Sequence, residues 1–274
     1  MKKILAIVLM LTMLVACFAG CGAKESDTLV MATNATFPPY EYIEDGEYVG
    51  IDVEIATLIA NELGKKLEIK DVEFGSIIGG VKSGKFDIGM AGMTVTEDRK
   101  VNVNFSTTYA TGIQSVIVKS DCTYASYEDF YTGFDAEGNP QGVVEGIKIG
   151  VQQDTTGDIY CSSAPAEWGF GEENVIRYKT GADAVQALIE GKVTAVIIDN
   201  EPAKSFVASN EGLKIQETAF TEEEYAIAVN KKNDELLEDI NDVLDSINDQ
   251  LDESLDNLEK TAGLIILSHL IKKN

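Results

Sequence analysis

Histidine is almost absent from this 274-residue chain: the only one, His269, lies in an apolar stretch near the C-terminus. The four cysteines form no CxxC pair, and no cysteine lies beside a histidine. Zinc sites and histidine-based catalysis depend on such spacings or on clusters of these residues. The sequence therefore predicts neither a metal site nor a cofactor.

Basic residues are also scarce. The 22 lysines and arginines are outnumbered by 46 aspartates and glutamates, which gives a formal net charge of −24. Such a surface repels nucleic acid and anionic lipid, so we expect no nucleic-acid partner. Because 45% of the residues are apolar, the chain can still bury one large core or two smaller ones.

A long apolar run occurs at the N-terminus, where residues 4–15 follow Lys2 and Lys3. This pattern is typical of a secretory signal peptide. Two small-residue sites end in Cys17 and Cys21 and resemble the lipobox of bacterial lipoproteins, in which the cysteine is lipidated. We expect a signal peptide over 1–20, lipidation at Cys21 and a tether over 21–27. The protein would then be extracytoplasmic and anchored by lipid to the cell membrane.

The other two cysteines, Cys122 and Cys161, lie in the exported part of the chain, where disulfides are permitted. A bridge between them would close a loop of about 40 residues and stabilise the fold by roughly 4 kcal/mol in the chain-entropy model. Two buried thiols are the alternative, and the spacing does not decide between them.

Strand and helix patterns alternate from Thr28 onward. Strands are expected over 29–32, 67–72 and 86–90, with a helix capped by Asp52 between the first two and a helix ended by Gly84 before the third. Alternation of this kind predicts a parallel sheet, and ligands of such sheets bind at the carboxyl ends of the strands. The loops over 33–37 and 92–99, with the loop containing Phe74, would meet there.

A second unit follows the same plan, with strands over 147–151 and 193–198 and a helix over 182–190. Strands over 114–119 and 225–229 are expected to leave the first unit and return to it. These boundaries predict a discontinuous lobe one, 28–113 with 220–274, and an inserted lobe two, 114–219.

The stretch from Ala91 to Arg99 has the residues of a receptor for a small carboxylate. Gly92 allows close approach of the backbone, Thr94 or Thr96 can cap the helix that follows, and Arg99 supplies a guanidinium. Alone, this stretch also fits an ordinary capped helix after a buried strand.

Several short motifs occur in an order that resembles the family 3 solute-binding proteins of amino-acid ABC importers, from about Thr28 to Lys231. The motifs are Ala32-Thr33-Asn34-Ala35-Thr36-Phe37-Pro38-Pro39-Tyr40-Glu41-Tyr42, Gly50-Ile51-Asp52-Val53-Glu54, Ser83-Gly84-Lys85-Phe86-Asp87, Gly92-Met93-Thr94-Val95-Thr96-Glu97-Asp98-Arg99, Phe105-Ser106 with Tyr109, Gly150-Val151-Gln152-Gln153-Asp154-Thr155-Thr156-Gly157 and Ala195-Val196-Ile197-Ile198-Asp199.

The resemblance implies a two-lobed, periplasmic-binding-protein-like α/β fold of type II, with the lobes joined by two hinge strands. It implies that an amino acid is trapped between the lobes and passed to an ABC importer permease. In the positions that match, the ligand α-carboxylate would bind Arg99, Thr94, Thr155 and Thr156, and the α-ammonium would bind Asp199 and the Gly92 carbonyl. The ligand side chain would lie between Phe37 and Phe74, with its identity tuned by Asn34, Gln152 and Ile198.

Those three tuning residues offer no counter-charge, which favours a neutral or polar amino acid. We expect a monomeric receptor and no enzymatic activity.

Two alternatives stay open. A prephenate-type dehydratase shares this fold, with Glu201 as a general acid. A sensory or adhesive lipoprotein would use the C-terminal region as its working surface.

The C-terminal region departs from the family pattern. Apolar residues recur at spacings of three and four, which predicts one long acidic amphipathic helix, at Leu237, Ile240, Leu244, Ile247, Leu251 and Leu258. Such a helix either packs on lobe one or docks to a partner. The apolar segment 264–267 that follows is too short to span a membrane.

Overall fold

Two β-sheets, each with helices packed against it, form two lobes joined by a pair of neighbouring strands. The computed structural model describes residues 27–216 and 221–248. The two-lobed α/β fold expected from the sequence is confirmed. The expectations for the signal peptide, Cys21, residues 264–267 and His269 concern residues outside the described ranges. Among described residues, no helix has the length and apolar composition needed to cross a bilayer.

In these ranges the strands, in chain order, are β1 (Thr28–Thr33), β2 (Thr36–Phe37), β3 (Glu41–Glu44), β4 (Glu47–Val49), β5 (Lys66–Asp71), β6 (Ile88–Gly89), β7 (Asn104–Phe105), β8 (Ala110–Lys119), β9 (Ile149–Gln152), β10 (Val175–Tyr178), β11 (Ala195–Asp199), β12 (Leu213–Ile215), β13 (Thr221–Tyr225) and β14 (Ala228–Val229). The α-helices are α1 (Ile51–Glu62), α2 (Ile77–Ser83), α3 (Glu97–Lys100), α4 (Thr156–Ser162), α5 (Gly181–Ile189), α6 (Asn200–Ser209) and α7 (234–248). Short 3₁₀ helices cover Phe74–Ser76, Tyr127–Phe130, Pro165–Glu167 and Glu172–Asn174.

Both main sheets contain the parallel core that the alternating pattern predicts. In lobe one the strand order is β5-β1-β6-β14-β7, and β1 pairs in parallel with β5 and β6. In lobe two the order is β10-β9-β11-β8-β12, and β9 pairs in parallel with β10 and β11. Helices α1 and α2 connect the parallel strands of lobe one, and helices α4 and α5 connect those of lobe two. The carboxyl ends of the parallel strands of both lobes therefore carry the connecting loops that form the site.

The hinge is an antiparallel ladder between β8 and β13, which runs from Ala110 opposite Tyr225 to Gln114 opposite Thr221. The outgoing strand thus begins four residues before the predicted start at Gln114. The predicted return strand over 225–229 is divided into β13 and β14. The predicted lobe boundary at residue 220 lies outside the described ranges.

Local signals predicted some helix ends correctly. The Thr96 hydroxyl accepts a hydrogen bond from the Arg99 amide at the start of α3, and Gly84 ends α2 in a left-handed conformation. The prediction that Asp52 caps α1 is wrong, because Gly50 is the N-cap residue. Asp52 lies inside the helix, fully buried, and its carboxylate accepts a hydrogen bond from the Gly92 amide at 3.0 Å.

Helix α7 packs on lobe one along its described length. Leu236, Ile240 and Leu244 are buried in one cluster with residues of β1 and α1, including Met31 and Ile59. Burial of each such side chain contributes about 1.5–3 kcal/mol. The described part of the helix is therefore a structural element of lobe one. Leu251 and Leu258 lie outside the described ranges.

Cys122 and Cys161 are free thiols. Cys161 on α4 is fully buried in the core of lobe two, and the half-buried Cys122 packs against the same cluster. Burial, with a smaller contribution from Asp158, raises the pKa of the Cys161 thiol well above its usual value. The sequence left a disulfide bridge and two thiols as alternatives. The structure contains the two thiols and no bridge between them.

Candidate ligand-binding cleft

A small cavity lies between the lobes. Its walls contain nine of the ten binding residues expected from the sequence, with Glu41 and Ala91 in addition. The lining residues are Asn34, Phe37, Glu41, Phe74, Ala91, Gly92, Thr94, Gln152, Thr155, Thr156 and Asp199. The tenth expected residue, Arg99, is not part of the lining but contacts two lining residues, Thr94 and Phe74.

Strand ends bring these side chains together from distant parts of the chain. Asn34 directly follows β1, and Ala91 and Gly92 follow β6 in lobe one. Gln152 and Asp199 are the last residues of β9 and β11 in lobe two. Because each of these strands belongs to a parallel set, all four ends meet at the cleft.

Gly92 occupies a position that disfavours any larger residue. Its φ of +51° is left-handed, and an added Cβ would lie 3.0 Å from the Phe37 ring. Its amide donates to Asp52, so the backbone is held close against the cavity.

Arg99 is a buried cation with few partners. It is 9% exposed, its guanidinium lies 5.2 Å from the Phe74 ring centroid, and it donates to the Thr94 carbonyl at 2.8 Å and the Asp154 carbonyl at 3.3 Å. These bonds use two of its five N–H donors. Burial lowers its pKa, and Glu223 is the strongest opposing influence. In the described part of the chain, no carboxylate lies within ion-pair distance of this guanidinium.

The threonines of the site differ in their hydrogen bonds. The Thr94 hydroxyl donates to Oε2 of Glu223 at 3.0 Å and lies 3.4 Å from the Thr156 hydroxyl across the cleft. The Thr155 hydroxyl donates to the Gln152 carbonyl and accepts from the Asp158 amide as the cap of α4. Because the Thr155 hydroxyl is occupied, its backbone amide is the group better suited to a ligand.

Asp199 is the buried acid of lobe two. Its Oδ1 accepts a hydrogen bond from the Tyr225 hydroxyl, and it makes no side-chain capping bond to α6. Burial, followed by the negative charge of Glu223, raises the pKa of Asp199 to about 7. Asp199 is therefore poised to gain or lose its proton near neutral pH.

Asn34 and Gln152 face each other across the cleft. The Gln152 amide donates to Oδ1 of Asn34 at 2.9 Å, and the Asn34 amide donates to the Val72 carbonyl. Oε1 of Gln152 is buried without a partner. Ile198, the third expected tuning residue, does not line the cavity. It is buried in the core of lobe two beside Ala184 and Val185.

The lobes are closed on one another in this structure. Three contacts cross the cleft: Arg99 donates to the Asp154 carbonyl, Gln152 donates to Asn34, and the Thr94 hydroxyl lies against the Thr156 hydroxyl. An exposed ion pair of 2.7 Å also joins Lys179 of lobe two to Glu73 of lobe one. These four contacts are polar, and Phe37 and Tyr40 of lobe one are also buried in the cluster that contains Ala184 and Leu188 of lobe two. Such an interface favours reversible opening through the hinge.

The family model of the bacterial extracellular solute-binding proteins, family 3, matches residues 29–261. The chain belongs to this family. This solute-binding protein is 30% identical over 229 residues to the arginine-binding extracellular protein ArtP of Bacillus subtilis (strain 168), over 81% of this chain and 83% of that relative.

Solved structures agree with the fold. The arginine-bound form of truncated ArgBP from T. maritima has a TM-score of 0.71 and 35% identity, over 81% of this chain and 96% of that one. An ancestral arginine-binding protein, solved once with glutamine and once with arginine, is 36% identical with TM-scores of 0.70 and 0.71, over 86% of this chain and 97% of that one.

Two buried acids of this solute-binding protein were not expected from the sequence. Glu41 lines the cavity beside Asp52, and Glu223 lies on the hinge strand. Burial first, and Asp52 second, raise the pKa of Glu41 well above its usual range. A signal for Glu41 was present, since it is the cross-strand neighbour of Phe37 in a short hairpin.

Glu201, the expected general acid of the dehydratase alternative, is not part of the cavity lining. It lies in the first turn of α6, and its carboxylate accepts from Lys204 at 2.6 Å. The structure therefore places this acid in a surface pair on a helix and does not bring it to the cleft.

Proposed function

We propose that this solute-binding protein captures a free amino acid between its lobes and delivers it to an ABC importer. In this proposal the protein is a monomer outside the cytoplasm, held at the membrane by lipid on Cys21. Its membership of a family of extracellular solute-binding proteins supports the proposal. So do relatives described as arginine-binding and glutamine-binding proteins.

One observation carries the proposal: a buried cation of lobe one contacts the residues that line the small cavity, and a buried acid of lobe two is part of that lining. Arg99 of lobe one has three N–H donors to spare and no ion-pair partner among described residues. Asp199 of lobe two faces the same cavity. A buried charge without a partner is costly, so a zwitterion that pairs with both groups would stabilise the closed state.

The remaining contacts follow from this orientation. The α-carboxylate would bind Arg99, Thr94, the Thr155 backbone and the Thr156 hydroxyl, and the α-ammonium would bind Asp199 and the Gly92 carbonyl. Phe37 and Phe74 would enclose the side chain. Each charge-assisted hydrogen bond in such a desolvated site is roughly twice as strong as a neutral one.

The part of the cavity lined by Gln152 favours a ligand whose side chain has N–H donors. Oε1 of Gln152 is a buried acceptor without a partner. Burial and the neighbouring Asp52 raise the pKa of Glu41, so its protonated carboxyl can itself donate a hydrogen bond and does not supply a charged partner for a basic side chain. Within the neutral or polar amino acids expected from the sequence, side chains with N–H donors are therefore favoured, and glutamine is the first to test.

The test is a thermal-shift screen of the twenty amino acids, followed by calorimetry. The purified protein is first unfolded and refolded to remove any amino acid that has co-purified. A ligand at one hundred times its Kd should add about 2.7 kcal/mol of stability. We expect one or a few donor-rich amino acids to raise the Tm. If none of the twenty does so, the proposed function is wrong.

A further inference from the structure

Glu223 is a buried carboxylate on the inner face of the hinge strand β13. In the run of three glutamates from Glu222 to Glu224, the outer two are exposed and only Glu223 is buried, at 5% exposure. This alternation follows from the period of a strand, which sends every second side chain to the same face. Glu223 therefore shares the inner face with Tyr225.

The contacts of Glu223 lead directly to the site. Its Oε2 accepts from the Thr94 hydroxyl and from Nε2 of Gln114, both at 3.0 Å, while Oε1 is buried with no partner. The Thr94 segment also pairs with the hinge strand through its backbone, because the Val95 amide donates to the Glu224 carbonyl at 2.9 Å. Thr94 thus belongs to the site and to the hinge at once.

The single hydroxyl proton of Thr94 limits the hydrogen bonds that this residue can donate. A threonine hydroxyl has one proton to donate, and an ionised carboxylate can only accept. While Thr94 donates to Glu223, the Thr156 hydroxyl must be the donor in the 3.4 Å contact across the cleft. Thr94 then has no proton left for the carboxylate of a ligand.

We infer that Glu223 competes with the ligand carboxylate inside the molecule: it holds the Thr94 donor and balances part of the Arg99 charge until an amino acid replaces it. This inference rests on the proposed function. Glu223 is then a positioning residue that acts through Thr94. Release of Thr94 from Glu223 couples occupation of the carboxylate site to the hinge strand.

The test replaces the carboxylate by an amide of the same shape. In Glu223→Gln the side-chain amide can donate to Thr94, whose proton is freed for the ligand, and one negative charge near the ligand carboxylate is removed. We expect the affinity for the amino acid found in the screen to rise by about tenfold, measured by calorimetry. A residue that only supports Thr94 would show the opposite sign.

The matched control is Glu222→Gln, which makes the same change of charge on the adjacent, exposed residue of β13. Its affinity should stay within about twofold of wild type. A second control uses the α-carboxamide of the same amino acid, which lacks the carboxylate. At about pH 8.5, where Asp199 is ionised with or without the charge of Glu223, the carboxamide should gain nothing from Glu223→Gln, because the competition concerns the carboxylate alone.

The outcomes separate the two proposals. If wild type binds its amino acid and Glu223→Gln binds it equally or less tightly, the inference about Glu223 is overturned and the proposed function stands. If wild type binds no amino acid, both are overturned. Should Glu223→Gln not unfold cooperatively, Glu223→Ala also removes the carboxylate and is measured with the same expected rise and the same criterion for rejection.

Discussion

The Tyr225 hydroxyl donates a hydrogen bond to Oδ1 of Asp199, which ties the hinge strand to the end of β11 in lobe two. The same Tyr225 ring packs edge-on against Tyr40 of lobe one, with 5.2 Å between centroids. Tyr225 therefore contacts both lobes at their crossing point. The hinge thus positions Asp199, the acid proposed to bind the ligand ammonium. Because an ammonium group pairs with the ionised form of this acid, its ionisation should control ligand affinity.

Ligand affinity should depend on pH through Asp199. The pKa of Asp199 is raised to about 7, chiefly by burial, and an ammonium group binds the ionised form. Affinity should therefore be highest above pH 7 and fall by up to about tenfold per pH unit below it. Calorimetry from about pH 5.5 to about pH 8.5, a range that brackets this pKa, measures how the affinity changes with pH.

Asp199→Asn provides the control for that slope. The amide cannot titrate, so this variant should bind weakly with little change across the same pH range. An equally steep loss of affinity in Asp199→Asn would assign the pH dependence to another group, such as Asp52, whose pKa burial raises to about 6.

Replacing Arg99 by alanine should abolish most of the binding. Loss of one partner from a buried, charge-assisted pair leaves the ligand carboxylate unpaired and costs about 2–5 kcal/mol, or roughly thirty-fold or more in Kd. Calorimetry measures the change. Lys100→Ala, on the same short helix but exposed, should bind as wild type does. Wild-type affinity in Arg99→Ala would show that the carboxylate site has been misplaced.

Helix α7 should contribute to the stability of lobe one without affecting the ligand. Ile240 is fully buried among β1, α1 and α7, so Ile240→Ala should lower the free energy of unfolding by about 2–5 kcal/mol. Urea denaturation gives this value, with the exposed Glu238→Ala as the control. The structural role would be rejected if Ile240→Ala unfolded at the same urea concentration as wild type.

Lipid attachment at Cys21 should hold the protein on the membrane. Cell fractionation should find wild type with the membranes, and intact-mass analysis should find a diacylglycerol-modified N-terminal cysteine. Cys21→Ser should not carry the lipid, because serine lacks the thiol that is modified. A wild-type protein that is soluble, unmodified and cleaved at another position would contradict the expectation.

Much of the fold and of the site could be predicted from local patterns. The alternation of strands and helices predicted both parallel sheets, and the threonine before Arg99 marked the start of its helix. Nine residues implied by the family resemblance also line the cavity, where the ends of parallel strands place their loops. These features depend on short stretches of chain, so the sequence by itself determined them.

Contacts between distant residues were decided only by the tertiary structure. Asp52 reads as a helix cap, yet it lies buried beneath Gly92, 40 residues along the chain. Ile198 follows the family pattern, yet it packs into the core, and Glu223 reaches Thr94 across 129 residues. Which buried acid meets which donor depends on how the two lobes close, and this long-range packing leaves no periodic mark in the sequence.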